Sequence, residues 1–280
     1  MSAALTVQQV LSQSQAKGLP RLEAQMLVLL ALQRAPHDRA WLLAHDNDPW
    51  PDAAQARLAD LLRRRLDGEP MAYLCGEHEF YGLSLRVDAR VLDPRPDTET
   101  LVDWALSLLP AQAGLRVADL GTGSGAIALA LAHQRPDVQV SAVDASADAL
   151  AVARANGQRL QLPVHWLLGD WFSPLAGQRF DLLVSNPPYI AEGDPHMAAL
   201  RHEPRQALTS GADGLDDLKR LVQDAPAHLP PGGWLLLEHG WDQAAAVRAL
   251  LSARGFEAVQ SRMDLAGIER CSGGQWPGLR

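Results

Sequence analysis

Cysteine is scarce in this chain: two residues in 280, Cys75 and Cys271, far apart and in no metal-ligand spacing. That excludes a disulfide-stapled scaffold and a cysteine-based metal site, and both thiols are expected to be free in a reducing compartment. Long apolar runs are also missing; none approaches the roughly 18 residues that a membrane helix needs. Residues 1–15 lack the basic stretch and apolar core of a secretory signal, so a cytoplasmic location is expected. Basic residues are outnumbered, 25 Lys and Arg against 33 Asp and Glu, for a net charge of −8. Such a balance argues against a broad grip on a phosphate backbone, so no direct nucleic-acid binding is expected. The only basic run, Arg63-Arg64-Arg65, has Asp60, Asp67 and Glu69 nearby and reads as a solvated helix face.

What remains is an ordinary globular composition, 47% hydrophobic and 21% charged, with material for one large domain or two smaller ones. Thr6 and Gln9 form a capping box that opens a helix over residues 6–16. Further helical patterns cover residues 20–34, 37–45 and 52–67, and none carries a phosphate loop, metal cluster or nucleophile elbow. Residues 1–69 therefore read as a helical module that binds or orients a partner. From Pro70 the pattern shortens to runs at 71–75, 79–81 and 83–87, separated by Gly76 and Gly82, which read as strands. Residues 70–93 are taken as a β-hairpin linker, and residues 94–280 as an α/β domain in which strands and helices alternate. The domain boundary is expected between Asp67 and Asp97.

Between the first strand of that domain and its helix lies Asp119-Leu120-Gly121-Thr122-Gly123-Ser124-Gly125-Ala126. Glycines there let the backbone turn sharply and approach a ligand closely. The dinucleotide fingerprint would need glycine at 126, where Ala126 stands; the pattern is G-x-G-x-G, one associated with S-adenosylmethionine. That ligand has no pyrophosphate for a helix N-terminus to neutralise. Asp144 ends the second strand, where a carboxylate accepts both hydroxyls of a ribose, whereas helix capping suits Ser146 better. Gly169-Asp170-Trp171 follows the third strand, where Asp170 suits an adenine amino group and Trp171 its face.

After the apolar run 180–185 comes Asn186-Pro187-Pro188-Tyr189. The two prolines contribute carbonyl oxygens and no N–H donors, Asn186 adds a side-chain carbonyl, and Tyr189 adds a flat aromatic face. Such a loop suits a planar –NH2 group with two hydrogens to donate, as in amides and the exocyclic amines of bases.

With these pieces the chain resembles the protein-(glutamine-N5) methyltransferases that modify peptide chain release factors. The resemblance runs through almost the whole length. It takes in the Pro70–Gly76 and Glu79–Leu83 hairpin, the Pro94-Arg95-Pro96-Asp97-Thr98-Glu99 loop, the glycine turn, Asn186–Tyr189, Glu203-Pro204, Gly211-Ala212-Asp213-Gly214-Leu215 and Leu237-Glu238-His239-Gly240. Asp93 departs from it, standing where an aliphatic residue is expected before Pro94, and the tail after Arg270 diverges. The resemblance implies a doubly wound, Rossmann-like class I methyltransferase domain behind a small N-terminal helical domain and a β-hairpin linker. It implies that Gly121, Thr122, Gly123, Ser124, Gly125, Asp144, Trp171 and Asn186 contact S-adenosylmethionine. It further implies that Asn186, Pro187, Pro188 and Tyr189 hold a glutamine from a Gly-Gly-Gln tripeptide, with Asn186, Pro187 and Tyr189 carrying the catalysis. No metal is expected.

The alternative enzyme is an adenine-N6 amino methyltransferase, whose substrate nitrogen has the same conjugated chemistry. The net charge and the lack of a basic target-recognition segment weigh against it. A vestigial scaffold is disfavoured by the intact glycine turn, Asp144 and tetrapeptide. His239 beside Glu238 reads as a local contact, and His202 and Glu203 as parts of a loop over the site. Gly273-Gly274-Gln275 spells the implied substrate tripeptide within this chain, and chance is the better explanation.

Overall fold

The computed structural model describes residues 5–278, and the chain divides into two compact units, one ending at Gly76 and one starting at Glu77. In the first unit α1 (Val7–Ala16) opens on the capping box: Gln9 N–H donates to Thr6 Oγ1, and Thr6 N–H donates to Gln9 Oε1. Then come α2 (Arg21–Ala31), α3 (Arg39–Ala44) and α4 (Asp52–Leu66). Their apolar faces meet around Val10, Leu27, Leu29, Trp50 and Leu58. The basic triplet is paired within this unit: Arg63 with Asp60 at 2.6 Å, Arg64 with Glu69 at 2.5 Å, and Arg65 with Glu23 at 2.7 Å. Arg63 remains exposed, as a solvated helix face requires, while Arg64 and Arg65 are half-buried against their carboxylates.

The strand expected over 71–75 is a helix instead, α5 (Met71–Cys75), which Gly76 ends in the left-handed conformation. Met, Ala and Leu are all good helix formers, and Pro70 sits where a helix start loses nothing by a missing N–H. The hairpin therefore begins only at Glu77, with β1 (Glu77–Phe80) antiparallel to β2 (Leu83–Arg86). Tyr81 and Gly82 make its tight turn, both at positive φ.

The rest of the second unit alternates as expected: α6 (Glu99–Leu108), β3 (Arg116–Leu120), α7 (Ala126–Gln134), β4 (Gln139–Asp144), α8 (Ala147–Leu160), β5 (Val164–Leu168) and β6 (Leu182–Ser185). After these come α9 (Asp216–Asp224), β7 (Trp234–Glu238), α10 (Ala244–Arg254), β8 (Glu257–Met263) and β9 (Glu269–Gln275). Helix α9 stops at Asp224, and Pro226 lies in a 3₁₀ turn beyond it. The seven strands lie in the order β5-β4-β3-β6-β7-β9-β8. The first five in that order run parallel, and β9 pairs antiparallel with both neighbours.

Strands covered on both faces must be apolar throughout, and Val117, Leu120, Leu182, Val184, Leu235 and Leu237 are all buried. Leu101 and Leu129 of α6 and α7 close one core cluster, and Leu218 and Val247 of α9 and α10 close another. From β3 the chain works outward to β5 and then returns to β6 on the other side. This reversal opens a crevice at the strands' carboxyl ends, where α/β sheets bind ligands. No helix among the described residues is long and apolar enough to cross a membrane.

Gly273-Gly274-Gln275 lies in β9, within the sheet. A Cβ on Gly273 would run into Leu236 and come within 2.9 Å of the Trp104 ring, so packing explains this glycine. The Gln275 amide already donates to Gly232 O at 2.9 Å.

Candidate active site

The glycine turn leaves β3 at the reversal point. Gly121, Gly123 and Gly125 have φ of 75°, 55° and 85°, values that side-chain-bearing residues rarely adopt. Gly121 and Thr122 donate their N–H groups to Val143 O, tying the turn to β4. Beneath it, buried Asp119 accepts from Thr122 Oγ1 at 2.6 Å and from Ala128 N–H at 3.2 Å. Burial pushes its carboxyl up to about 7.

Asp144 accepts from Gly123 N–H and from Ser146 N–H, each at 2.8 Å, one on each oxygen. Each carboxylate oxygen keeps a second acceptor site. Burial holds this carboxyl above its ordinary range. Ser146 is the cap of α8, its hydroxyl accepting from Ala149 N–H. The Trp171 ring lies against the turn; a Cβ on Gly121 would stand 3.1 Å from it. Trp171 Nε1 donates to Asp217 at 3.2 Å. Asp170 pairs with Arg220 at 2.7 Å, so a neighbouring cation already engages the carboxylate expected for adenine.

Gly121, Thr122, Gly123, Ser124, Asp144, Trp171, Asn186 and Pro188 all line one cleft of about 280 Å³. Gly125, Pro187 and Tyr189 stand outside that lining. A Cβ on Gly125 would meet Leu129 and Trp166 at 3.1 Å, so this glycine serves helix packing behind the turn. Tyr189 packs beside the second core cluster, and burial raises its phenol. Its backbone oxygen accepts from Gln243 Nε2 at 3.0 Å.

Three contributors, Thr98, Glu238 and Arg95, escape sequence reasoning as site residues, and Glu203 sits in the loop over the site as expected. Asn186 Nδ2 donates to Thr98 Oγ1 at 3.2 Å, and Glu238 lies buried beside both. Arg95 lines the cleft and pairs with Glu203 at 2.5 Å, while Glu203 also accepts from Asp93 N–H. Glu203 thus fastens the loop after β6 to the proline-punctuated segment. His239 bonds to Gly240 O and Ser272 Oγ, and burial lowers its pKa, so it is a neutral core contact.

Asp93, the departure from the expected pattern, accepts from or pairs with His78 Nδ1 at 2.6 Å and lies 3.6 Å from Arg95. That hydrogen bond raises the His78 pKa above 6.5, with burial opposing. Stability from the pair is fully present below the unfolded pKa and is lost as pH rises through the higher folded value. Asp93→Leu is expected to abolish that part of the decline in thermal midpoint, measured by calorimetry across the range. An unchanged pH profile would leave Asp93 without this role.

The donor set fits a nucleoside carrying an uncharged or cationic tail. Asp144 offers paired acceptor sites, Trp171 an aromatic wall, and Gly123 a backbone at which an added Cβ would meet nothing within 4 Å. The two arginines that line the cleft, Arg90 and Arg95, are paired with Asp88 and Glu203, which suits a ligand without pyrophosphate.

Comparison with known proteins agrees with this layout. A family model described as "Methyltransferase small domain" matches residues 98–248, and one described as "PrmC N-terminal domain" matches residues 6–76. The release factor glutamine methyltransferase of Bordetella pertussis is 56% identical over 92% of this chain and 95% of its own length. That of Xylella fastidiosa is 50% identical over 93% and 95%, and that of Salmonella typhimurium 46% over 92% of each. Among solved structures, a methyltransferase from Pyrococcus furiosus superposes with a TM-score of 0.55 at 20% identity, over 79% of this chain and all of that one. At that identity it speaks for the fold alone, a class I methyltransferase sheet. Identity near one half across nine-tenths of the length speaks for more: this chain belongs to the release factor glutamine methyltransferase family.

Proposed function

We propose that this protein transfers a methyl group from S-adenosylmethionine to the side-chain amide nitrogen, N5, of the glutamine in the Gly-Gly-Gln motif of peptide chain release factors. The observation that carries the reading is Asn186 lining the cleft with its Nδ2 turned onto Thr98, which leaves Oδ1 to accept from a substrate amide. Gly121 to Ser124, Asp144, Trp171 and Asn186 would hold the cofactor. When bound, it supplies an electrophilic methyl on a sulfonium.

The remaining work falls to the chain. A glutamine amide nitrogen is a poor nucleophile because its lone pair is delocalised into the carbonyl. Asn186 Oδ1 and Pro187 O accept its two hydrogens, which raises electron density on nitrogen and aims its open face. Pro188 narrows the slot, and Tyr189 packs against the amide and excludes water. Alignment supplies much of the rate. No strong general base is needed, because the methylated amide loses its extra proton readily. Residues 1–69 help to dock the large protein substrate, and the location that goes with it is the cytoplasm.

Asp144→Ala is expected to weaken cofactor binding about 10- to 100-fold by calorimetry, the loss of charged hydrogen bonds worth roughly 1.5–3 kcal/mol. Unchanged affinity in a folded variant would remove the ribose assignment. The function itself is tested with labelled cofactor, offering purified release factor and duplex DNA side by side. Label mapped to the glutamine of the Gly-Gly-Gln loop is the expected result; label on DNA alone would make this an amino methyltransferase of bases.

A further inference from the structure

Glu238 has no part in the reaction described above, yet its carboxylate lies beside Asn186 and Tyr189 of the tetrapeptide. It ends β7, which runs parallel to β6 with Ser185 paired to Leu237. One step along from that pair, Asn186 just past β6 and Glu238 at the end of β7 therefore lie side by side. Glu238 is 1% exposed, and its Oε2 has no hydrogen-bond partner among the described residues. A buried carboxyl left partly unsatisfied is costly, so its neighbours are informative.

Thr98, equally buried, completes a triangle. Asn186 Nδ2 donates to Thr98 Oγ1, and hydrogen bonding from both Thr98 and Asn186 favours the charged form of Glu238. An amide has two hydrogens, so Asn186, which gives one to Thr98, has a second to offer the carboxylate beside it. The Thr98 hydroxyl, having accepted from Asn186, has its own proton for Glu238. An ionised carboxylate only accepts, so the amide nitrogen must face it and the carbonyl oxygen must face away.

We propose that Glu238 is a positioning residue which, with Thr98, fixes the flip of the Asn186 side-chain amide so that Oδ1 and not Nδ2 meets the substrate nitrogen. The inference rests on the reading of Asn186 as the acceptor for a glutamine amide. An Asn186 flipped by 180° would present donors to a donor and bind nothing.

The charge state of Glu238 then gates the site. Burial first, and the charge of Asp97 with it, raise its carboxyl to about 7 against the opposing pull of Thr98, of Arg270 on β9 and of Asn186. The Tyr189 phenol and Cys271 thiol also face it, and burial keeps both neutral. Once protonated, Glu238 can donate, and the constraint on Asn186 is lost.

The test compares Glu238→Gln, Thr98→Val and Thr98→Ser in the full chain. Glu238→Gln is expected to lower kcat about 10- to 100-fold, as removal of a supporting partner does, with cofactor affinity unchanged. The native protein should show a fall in kcat on the acid side of neutrality, and Glu238→Gln should erase it. Thr98→Val should match it and Thr98→Ser should restore activity, because serine keeps the hydroxyl. The Asn186 side-chain NH2 resonances, assigned by their loss in Asn186→Asp, read the same network without substrate; Glu238→Gln should shift them and speed their exchange. Native kcat in Glu238→Gln, or unmoved Asn186 resonances, overturns the proposal. If Glu238→Gln fails to fold, the threonine pair decides: equal activity of Thr98→Val and Thr98→Ser overturns it, and rescue by serine supports it. If the native protein labels no release factor, the functional reading falls, while the resonances still decide the fixing of Asn186.

Discussion

Asn186→Ala is expected to lower turnover by about 10²-fold or more, the usual cost of removing one preorganised polar contact from a transition state. The loss should appear in kcat more than in KM, because the contact matters most as the amide nitrogen gives up its conjugation. In the ground state the amide hydrogens have other acceptors; as the methyl transfers, the nitrogen becomes positive and its hydrogens bind Oδ1 more strongly. Asn186→Asp should do no better, although it keeps the acceptor oxygens. It places a second carboxyl beside Glu238, and two such groups cannot both stay ionised in a buried site. Steady-state kinetics on protein whose fold is verified by circular dichroism makes the measurement. Near-normal turnover of folded Asn186→Ala would sink the mechanism.

The sequence makes some of this site legible and hides the rest for physical reasons. Runs such as Leu182–Ser185 announce buried parallel strands, because both of their faces need apolar cover. The glycine turn and Asp144 can be found because each lies at a fixed place after a strand, and the structure ties them together by the Gly123–Asp144 hydrogen bond. Met71–Cys75 misleads because five apolar residues fit a strand or one helical turn equally well. Thr98 and Glu238 escape notice for a different reason. They belong to separate motifs, and only the register of β6 with β7 sets Glu238 beside Asn186. Asp170 shows the converse: its place after β5 suits a ligand, but Arg220, fifty residues on, supplies a partner that no local pattern discloses.

Gly214→Ala is expected to cost roughly 2–4 kcal/mol of stability, about 1–2 for a left-handed alanine and 1–3 for overpacking, less what relaxation recovers. Gly214 has φ 72°, and an added Cβ would fall on the backbone oxygen of Tyr189 and within 2.8 Å of Gln243 Nε2. That Gln243 side chain is the staple of the region, donating to Tyr189 O at 3.0 Å and accepting from Gly240 N–H at 2.8 Å. A methyl at 214 must therefore push either the staple or the tetrapeptide itself, and turnover should fall along with the thermal midpoint. Gly211→Ala is the control. Its φ of 69° carries the same backbone penalty, but the Cβ would meet only the end of the exposed Asp216 side chain, which can swing aside. Calorimetry should show Gly211→Ala losing only the backbone part, with activity kept. Equal losses at the two positions would mean that backbone conformation, and not the approach of Gly214 to Tyr189, accounts for both.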